Sequence, residues 1–173
     1  MTRFIPSIHP STILEGSRSG IPSTTHIEAG TVIVLGKDAE LSLGERNTIY
    51  PGVLIRTKSG FIRTGDDVSF GPGVKIYETR KGLVIGENTL IAGGVCICGT
   101  THGMEPGTPI RQQPTESKTI IIGENVWIGM NSIIHPGITI GDNTIIGSGS
   151  VVTRDIESDV VAFGSPCKVV KKR

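Results

Sequence analysis

Several features that mark other protein classes are scarce or missing in this chain of 173 residues. Aromatic residues make up 4% of it, and the cysteines are Cys96, Cys98 and Cys167. An odd number of cysteines without Cys-x-x-Cys pairing fits neither a disulfide framework nor a paired metal site, so we expect a reducing, cytoplasmic environment. No stretch is apolar enough to span a membrane, and residues 1–11 lack the apolar core of a signal peptide.

The chain also lacks a charge imbalance. Its net charge is +1, so bulk charge indicates neither a nucleic-acid-binding surface nor a polybasic membrane anchor. Its length is enough for one domain with a real interior and too short to require two. We therefore expect one domain whose partners are not selected by overall charge.

Residues that favour helices are scarce, whereas residues of strands and turns are abundant. The chain contains 25 Ile and 24 Gly but only 7 Leu and 4 Ala. Isoleucine favours strands, and glycine is typical of turns and disfavours helices. The composition therefore predicts an all-β chain.

A bulky aliphatic residue recurs every six positions. In the C-terminal half these marker residues are Ile122, Ile128, Ile134, Ile140, Ile146 and Val152. A small or β-branched residue stands two positions before each marker, so both side chains share one face of a short strand and point inward. Clusters of Gly, Asp, Glu and Asn then follow and predict corners.

Upstream, the same spacing returns in triplets, which predicts three hexads in each turn of a triangular coil. The markers there are Ile21, Ile27, Ile33, Leu43, Ile49, Ile55, Thr64, Phe70, Ile76, Ile85, Ile91 and Ile97. One coil cannot bury its inner face alone, so stacking of coils must supply the core. The expected fold is all-β: a single-stranded, left-handed parallel β-helix of about six coils.

Departures from this period divide the chain. We predict an N-terminal cap at residues 1–20, the β-helix at 21–153, and a C-terminal segment at 154–173 that folds back over the last coils with its basic end free. One long gap between markers places residues 99–117 outside the solenoid as an extruded loop. A single long excursion from a regular stack is a candidate functional element.

The residue before each marker points outward, and along one face this column is apolar except at Lys75. Its members are Val32, Leu54, Cys96, Ile133 and Val151. An apolar exterior face suggests a subunit interface, with a merely exposed β-branched strand surface as the alternative. We therefore expect self-association.

Three side chains outside the core could contribute to a site. His102 lies in the extruded loop, where a polar segment can carry an imidazole to a neighbouring surface, and a neutral imidazole can accept a proton. Trp127, the single tryptophan, points outward and suits the wall of a ligand cleft or a subunit contact. His135 occupies a corner, and we interpret it as a surface or interface residue.

Two further patterns near the C-terminus could bind phosphate. Arg154 and Lys168, with the basic end of the chain, could form a cationic rim for a phosphorylated cofactor, and a solvated basic tail is the alternative. The run Gly147-Ser148-Gly149-Ser150 is similar to a phosphate loop only superficially, because no Lys-Ser/Thr completes it. Repeat corners account for its glycines.

Three segments resemble hexapeptide-repeat acetyltransferases. They are Ile122-Gly-Glu-Asn-Val-Trp-Ile-Gly129, Pro136-Gly-Ile-Thr-Ile-Gly-Asp-Asn-Thr-Ile-Ile-Gly-Ser-Gly-Ser-Val-Val-Thr-Arg-Asp155 and Gly164-Ser-Pro-Cys-Lys-Val-Val170. The branch that they resemble most is the galactoside, maltose and xenobiotic O-acetyltransferases. The resemblance is specific from about Leu83 onward, and it implies a homotrimer with acetyl-CoA in the clefts between neighbouring solenoids.

The resemblance also implies roles for particular residues. His102 would be the catalytic base, and Trp127 would contact the acceptor and the pantetheine arm of acetyl-CoA. Four residues would offer backbone groups to the cofactor: Gly129, Met130, Gly147 and Ser148. Three would lie near its adenosine-phosphate end: Thr153, Arg154 and Lys168.

The implied reaction is direct acetylation of a sugar hydroxyl. His102 would remove the hydroxyl proton as the oxygen attacks the thioester, and a backbone N–H near Gly129 or Met130 would stabilise the oxyanion. The coil that reads Phe70-Gly71-Pro72-Gly73 lacks the acceptor-binding asparagine of the galactoside and maltose enzymes, and their helical N-terminal segment is also missing. Short family members without that segment resemble enzymes that acetylate bacterial surface polysaccharides, which is the expected function.

Other functions remain open at this point. An amino-sugar N-acetyltransferase or a xenobiotic acetyltransferase would use the same fold and donor. A γ-type carbonic anhydrase would need three histidines around zinc, and only His102 and His135 are suitably placed. A purely structural trimer would leave the extruded loop and Trp127 without a role.

Overall fold

The computed structural model describes residues 8–173, so part of the predicted N-terminal cap lies outside the described residues. Apart from one short 3-10 turn, Ile110–Gln112, the regular structure of these described residues is made of strands. The strands form the three faces of a stack of coils, and strands of neighbouring coils pair in parallel. The prediction of an all-β parallel β-helix is confirmed, and its left-handed sense stays a prediction.

The first face is a sheet whose parallel strands each come from a different coil. In stacking order they are β2 (His26–Ile27), β4 (Thr48–Ile49), β6 (Ser69–Phe70), β9 (Leu90–Ile91), β14 (Trp127–Ile128), β17 (Ile145–Ile146) and β19 (Val160–Phe163). An antiparallel strand, β20 (Lys168–Lys172), completes this sheet at its C-terminal end. The ladder therefore runs the length of the described chain.

The second and third faces belong to one continuous sheet, because two long strands pass around the corner between them. These are β3 (Val32–Ser42) and β5 (Leu54–Thr64). The other second-face strands are β1 (Ile13–Glu15), β7 (Lys75–Tyr77), β10 (Cys96–Cys98), β15 (Ile133–Ile134) and β18 (Val151–Val152). The other third-face strands are β8 (Leu83–Ile85), β13 (Ile120–Ile122) and β16 (Thr139–Ile140).

The register confirms the predicted columns and adds one turn to the six expected. On the first face the stacked residues are Ile27, Ile49, Phe70, Ile91, Ile128, Ile146 and Ala162. Ala162 comes from the predicted C-terminal segment, which begins the extra turn with the bridge from Ile156 to Ile140. The spacing from Val152 to Ile156 is shorter than six residues, so the six-residue period did not predict this extra turn.

The described part of the predicted N-terminal cap also continues the stack rather than forming an irregular cap. Ile8 bridges to Ile27, and β1 pairs in parallel with the start of β3. Leu14, which pairs with Ile33, packs against the core. Because Ile8 and Leu14 are only two markers, their six-residue spacing carries little signal in the sequence.

The interior is formed by the markers and by the residues two positions before them. Ile134 and its stacked neighbours Ile97 and Val152 are fully buried. Where the residue two positions before a marker is polar, its hydroxyl bonds to a carbonyl in a corner. Thr89 Oγ1 donates to Gly123 O at 2.9 Å, and Ser132 Oγ donates to Gly147 O at 3.1 Å. These bonds offset the desolvation of the buried hydroxyls.

The corners depend on residues with a left-handed backbone. Between the third and first faces these residues include Asn88 and Asn125, with φ of 57° and 52°. Asn and Asp tolerate positive φ better than other residues with a side chain. The Gly-Glu-Asn and Gly-Asp-Asn runs noted in the sequence thus form the predicted corners.

The C-terminal segment folds back as predicted, but its basic end is not free. Strand β20 pairs antiparallel with β19, and Lys172 Nζ lies 3.3 Å from a carboxylate oxygen of Glu157. Arg173 Nη1 donates to Asn143 O at 3.0 Å. The last residues therefore close the end of the solenoid. Within residues 8–173, no helix is long and apolar enough to cross a membrane.

Candidate functional site

A hairpin leaves the solenoid between the second and third faces, where residues 99–119 separate β10 from β13. Its strands, β11 (Thr100–His102) and β12 (Thr115–Ser117), form a separate antiparallel pair. The buried amide of Gln113 organises its tip, because Nε2 donates to the carbonyls of Glu105 at 2.9 Å and Thr108 at 2.7 Å. The hairpin therefore has an internal structure of its own.

The base of the hairpin is bonded to the preceding coil. Gly99 N donates to Tyr77 O at 3.0 Å, and Thr100 Oγ1 donates to Glu78 O at 2.7 Å. After the second strand of the hairpin, Thr119 Oγ1 donates to Lys81 O at 3.0 Å. These bonds fix where the hairpin starts and ends.

The two sides of the hairpin face different coils. Directly opposed residues of an antiparallel pair share a side, and alternate residues share it too. His102 and its cross-strand partner Thr115 therefore lie on the same side as Thr100, which bonds to the coil before the hairpin. Thr101 and its partner Glu116 lie on the opposite side, toward the coil after the hairpin.

His102 is exposed at the end of β11. Its ring has no hydrogen-bond partner within residues 8–173 of this single chain. The imidazole is thus presented to the surface on a hairpin whose base is fixed. An exposed imidazole with both nitrogens unpaired can accept a proton from a molecule bound beside it.

A shallow cleft of about 180 Å³ lies on the other side of the hairpin. Thr101 and Glu116 line it from the hairpin, and His135, Pro136 and Thr153 line it from the next corners of the solenoid. His135, which we interpreted as a surface or interface residue, therefore lines a cleft. Glu116 was not predicted, because nothing in a loop without periodicity indicates which way its side chains point.

A second cleft of about 260 Å³ continues from Thr153. It brings together Thr153, Arg154 and Lys168, which were predicted near the phosphate end of the cofactor. Pro166 and Cys167 complete the wall, held by the bond from Cys167 N to Val151 O at 2.8 Å. Two cations and a hydroxyl around one cleft form a group suited to a phosphate.

The other predicted cofactor residues lie on a different part of the solenoid. Trp127 points outward on the first face between Leu90 and Ile145, with half of its surface exposed. Gly129 and Met130 follow in the corner between the first and second faces, and Gly147 and Ser148 stack one coil further on. The stacking is close, because a Cβ on Gly129 would stand 2.5 Å from Ser148 N.

The hydrogen bonds in this corner determine which backbone N–H groups remain available to a bound molecule. Gly129 N donates to Ile146 O at 2.7 Å, and Gly147 N donates to Ala162 O at 2.8 Å. Among the described residues, none accepts a bond from the N–H of Met130 or Ser148. Of the two N–H groups expected as oxyanion donors, that of Gly129 is already bonded within the coil ladder, whereas that of Met130 is unpaired within residues 8–173.

One chain thus divides the predicted residues into two groups. His102 stands on the hairpin at the corner between the second and third faces, and Arg154 and Lys168 line the neighbouring cleft. Trp127 and Met130 belong to the first face and the corner after it. His102 and Met130 thus lie at different corners of the coil, with the second-face strands between these corners.

Two of the cysteines, Cys96 and Cys167, are unsuited to act as nucleophiles. Burial raises the pKa of the Cys167 thiol, an effect that a hydrogen bond with Ser150 opposes only in part. Burial and the neighbouring Cys98 raise the pKa of Cys96, despite the opposing effect of Lys75. Both thiols are therefore protonated at neutral pH, and the thiol is a much weaker nucleophile than the thiolate. No group of three metal-ligating side chains occurs within residues 8–173.

Comparison with known proteins identifies the family. A sequence profile described as bacterial transferase hexapeptide (six repeats) matches residues 119–154. The chain is 33% identical over 144 residues to WbbJ of Escherichia coli (strain K12), which is named for O-acetyl transfer in lipopolysaccharide biosynthesis, and the alignment covers 78% of this chain and 73% of that protein. The chain belongs to the hexapeptide-repeat acetyltransferase family.

The chain is also similar to two proteins named as O-acetyltransferases of particular sugars. The chain is 44% identical over 95 residues to a galactoside O-acetyltransferase of Escherichia coli (strain K12), covering 52% of this chain and 44% of that protein. A crystal structure of a maltose O-acetyltransferase from Clostridium difficile 630 is 34% identical, with 79% and 67% of the two chains covered and a TM-score of 0.59. The matched part thus spans about half the length of the galactoside enzyme.

Proposed function

We propose that this protein is an acetyl-CoA-dependent O-acetyltransferase that acts on a sugar hydroxyl in the biosynthesis of a surface polysaccharide. The observation that carries the proposal is the exposed, unpaired imidazole of His102 on a hairpin fixed to the solenoid. Relatives named as galactoside and lipopolysaccharide O-acetyltransferases support the reaction class and the sugar acceptor. Acetyl-CoA is the donor that supplies the activated acetyl group.

The clefts fit such a donor. Its phosphates would lie with Arg154 and Lys168, whose cations and N–H donors suit phosphate oxygens, and with the hydroxyl of Thr153. Trp127 and the unpaired N–H groups of Met130 and Ser148 would hold its pantetheine arm and thioester.

We further propose that the working unit is a homotrimer in which each site lies between two copies. Within one chain His102 and Met130 lie at different corners of the coil, which supports a site that takes His102 from one protomer and the Met130 corner from its partner. Exposed apolar side chains, including Leu90 and Ile133, could pack in such an interface. Three free thiols and an acetyl-CoA donor fit a cytoplasmic location.

The chemical step follows from these positions. His102 accepts the proton of the sugar hydroxyl as that oxygen forms a bond to the thioester carbonyl carbon. The N–H of Met130 donates to the developing oxyanion. The carbon–sulfur bond then breaks, the carbonyl reforms on the acetylated sugar, and the proton on His102 passes to the departing sulfur. No acyl-enzyme is formed, so donor and acceptor must be bound together.

Replacement of His102 by Ala tests this function. With nucleotide sugars, free sugars and aminoglycosides as acceptors, we expect kcat to fall by about 10²–10⁴, as for loss of a general base. The dissociation constant of acetyl-CoA, measured by calorimetry, should stay unchanged. The matched control is His9→Ala, the same change at an exposed histidine whose side chain bonds, among residues 8–173, only to Ser11.

Two results would contradict the proposal. Full activity of His102→Ala with an amino-sugar acceptor would indicate an N-acetyltransferase, because a free amine needs less help from a base. Failure of the wild-type protein to bind acetyl-CoA would indicate a structural protein rather than an enzyme.

A further inference from the structure

A buried carboxylate lies beside the coil corner that bears the hairpin. The side chain of Glu78 is only 5% exposed, and its backbone adopts a left-handed φ of 50°. Arg80 Nε donates to Glu78 Oε2 at 2.7 Å, and Arg56 Nε lies 4.0 Å from the other carboxylate oxygen. A carboxylate this buried is stable only when it is paired, so this corner holds Arg80 in a fixed place.

Arg80 connects that corner to the hairpin. While its Nε bonds Glu78, its Nη1 donates to Thr115 Oγ1 at 3.2 Å. Thr115 is the cross-strand partner of His102 and shares its side of the hairpin. The planar guanidinium can make both bonds at once because its donors have a fixed relative geometry, which a lysine ammonium lacks.

We propose that Glu78 and Arg80 are positioning residues that hold the His102 end of the hairpin at its working distance from the acceptor. The other anchors, at Gly99, Thr100 and Thr119, secure the hairpin base. Among the side-chain bonds within residues 8–173, only the bond from Arg80 links this coil corner to the cross-strand pair of His102 and Thr115. Without it, the strand end can move while the base stays attached.

This inference rests on the proposed function, because it assigns a purpose to the position of His102. A general base must stand within hydrogen-bond reach of the proton it takes, and a displacement of about 1 Å can reduce the rate by about 10². Arg80 and Thr115 would not contact the donor. Their loss should therefore lower kcat and leave the KM for acetyl-CoA unchanged.

The test uses paired substitutions at Thr115. Thr115→Val removes the hydroxyl that accepts from Arg80 while keeping the side-chain shape, and we expect kcat to fall about tenfold through loss of positioning. Thr115→Ser keeps the hydroxyl and should retain wild-type kcat. The control is Thr108→Val, the same change at an exposed threonine of the hairpin tip whose hydroxyl has no partner within residues 8–173, and it should leave kcat unchanged. Thermal unfolding checks that all variants fold.

A double substitution separates positioning from a general structural role. Once His102 is Ala, the position of the strand end no longer matters, so adding Thr115→Val should cause no further loss of kcat. A further tenfold loss in that background, or wild-type kcat for Thr115→Val alone, would overturn the positioning role. Wild-type kcat for His102→Ala alone would overturn the proposed function and this inference together.

Discussion

The available N–H of Met130 leads to a sharp prediction, because a substitution can remove it without disturbing the corner. Met130 stands two residues after its marker, and the same column contains proline in two other coils, Pro51 and Pro72. Each of these prolines precedes a glycine with positive φ, and Asn131 after Met130 has a φ of 58°. Proline followed by a residue with positive φ is typical of a type II turn. Met130→Pro should therefore fold.

The expected effect follows from the pairing of backbone groups. Since the N–H of Met130 has no acceptor within residues 8–173, its removal breaks no bond of the solenoid, and the free energy of unfolding should change by less than about 1 kcal/mol. Loss of one oxyanion donor usually lowers kcat by about 10²–10³. A large kinetic effect with little change in stability is therefore predicted.

Steady-state kinetics with acetyl-CoA and urea unfolding would measure the two quantities. The matched control is Ala29→Pro, which places proline at the same column position in the first complete coil, before Gly30 with a φ of 70°. The control should leave kcat unchanged. Wild-type kcat for Met130→Pro would refute the assignment of the oxyanion donor, and a comparable loss in the control would show that the effect comes from proline itself.

Two further predictions concern the clefts and the thiols. Replacing Arg154 or Lys168 by Ala should raise the KM for acetyl-CoA about tenfold or more with little change in kcat, because each removes one charge-assisted contact to phosphate; an unchanged KM would exclude this cleft as the phosphate site. Cys96 and Cys167, whose pKa values are raised, should react slowly with iodoacetamide at neutral pH and faster as the pH rises toward those pKa values. Mass spectrometry of the labelled thiols would measure this, and fast labelling at neutral pH would contradict it.

The fold could be predicted from the sequence because its core obeys one spatial rule. Each marker, such as Ile128 or Ile146, must point inward, and a period of six repeats that requirement in every hexad. The rule fails where the spacing shortens, as between Val152 and Ile156, or where too few markers remain, as at Ile8 and Leu14. Both ends of the stack were therefore underestimated.

The site was less predictable because its chemistry lies outside the repeat. The length of the gap in the period indicated that His102 belongs to an excursion. Nothing in the sequence showed that Arg80 bonds to Thr115 across 35 positions, or that Glu116 faces a cleft. The choice between Gly129 and Met130 likewise depends on which N–H pairs with the next coil, and that is a property of the folded ladder.

Hybrid trimers test most directly the claim that the site is shared between copies. His102→Ala and Met130→Pro protomers, each expected to keep at most about 1% of wild-type kcat alone, would be co-expressed with different tags, and trimers that carry both tags would be isolated. In a cyclic trimer of either mixed composition, one interface joins an intact His102 to an intact Met130, so about one third of wild-type kcat should return. Mixed trimers as inactive as their parents would show that the two residues do not act across a subunit boundary.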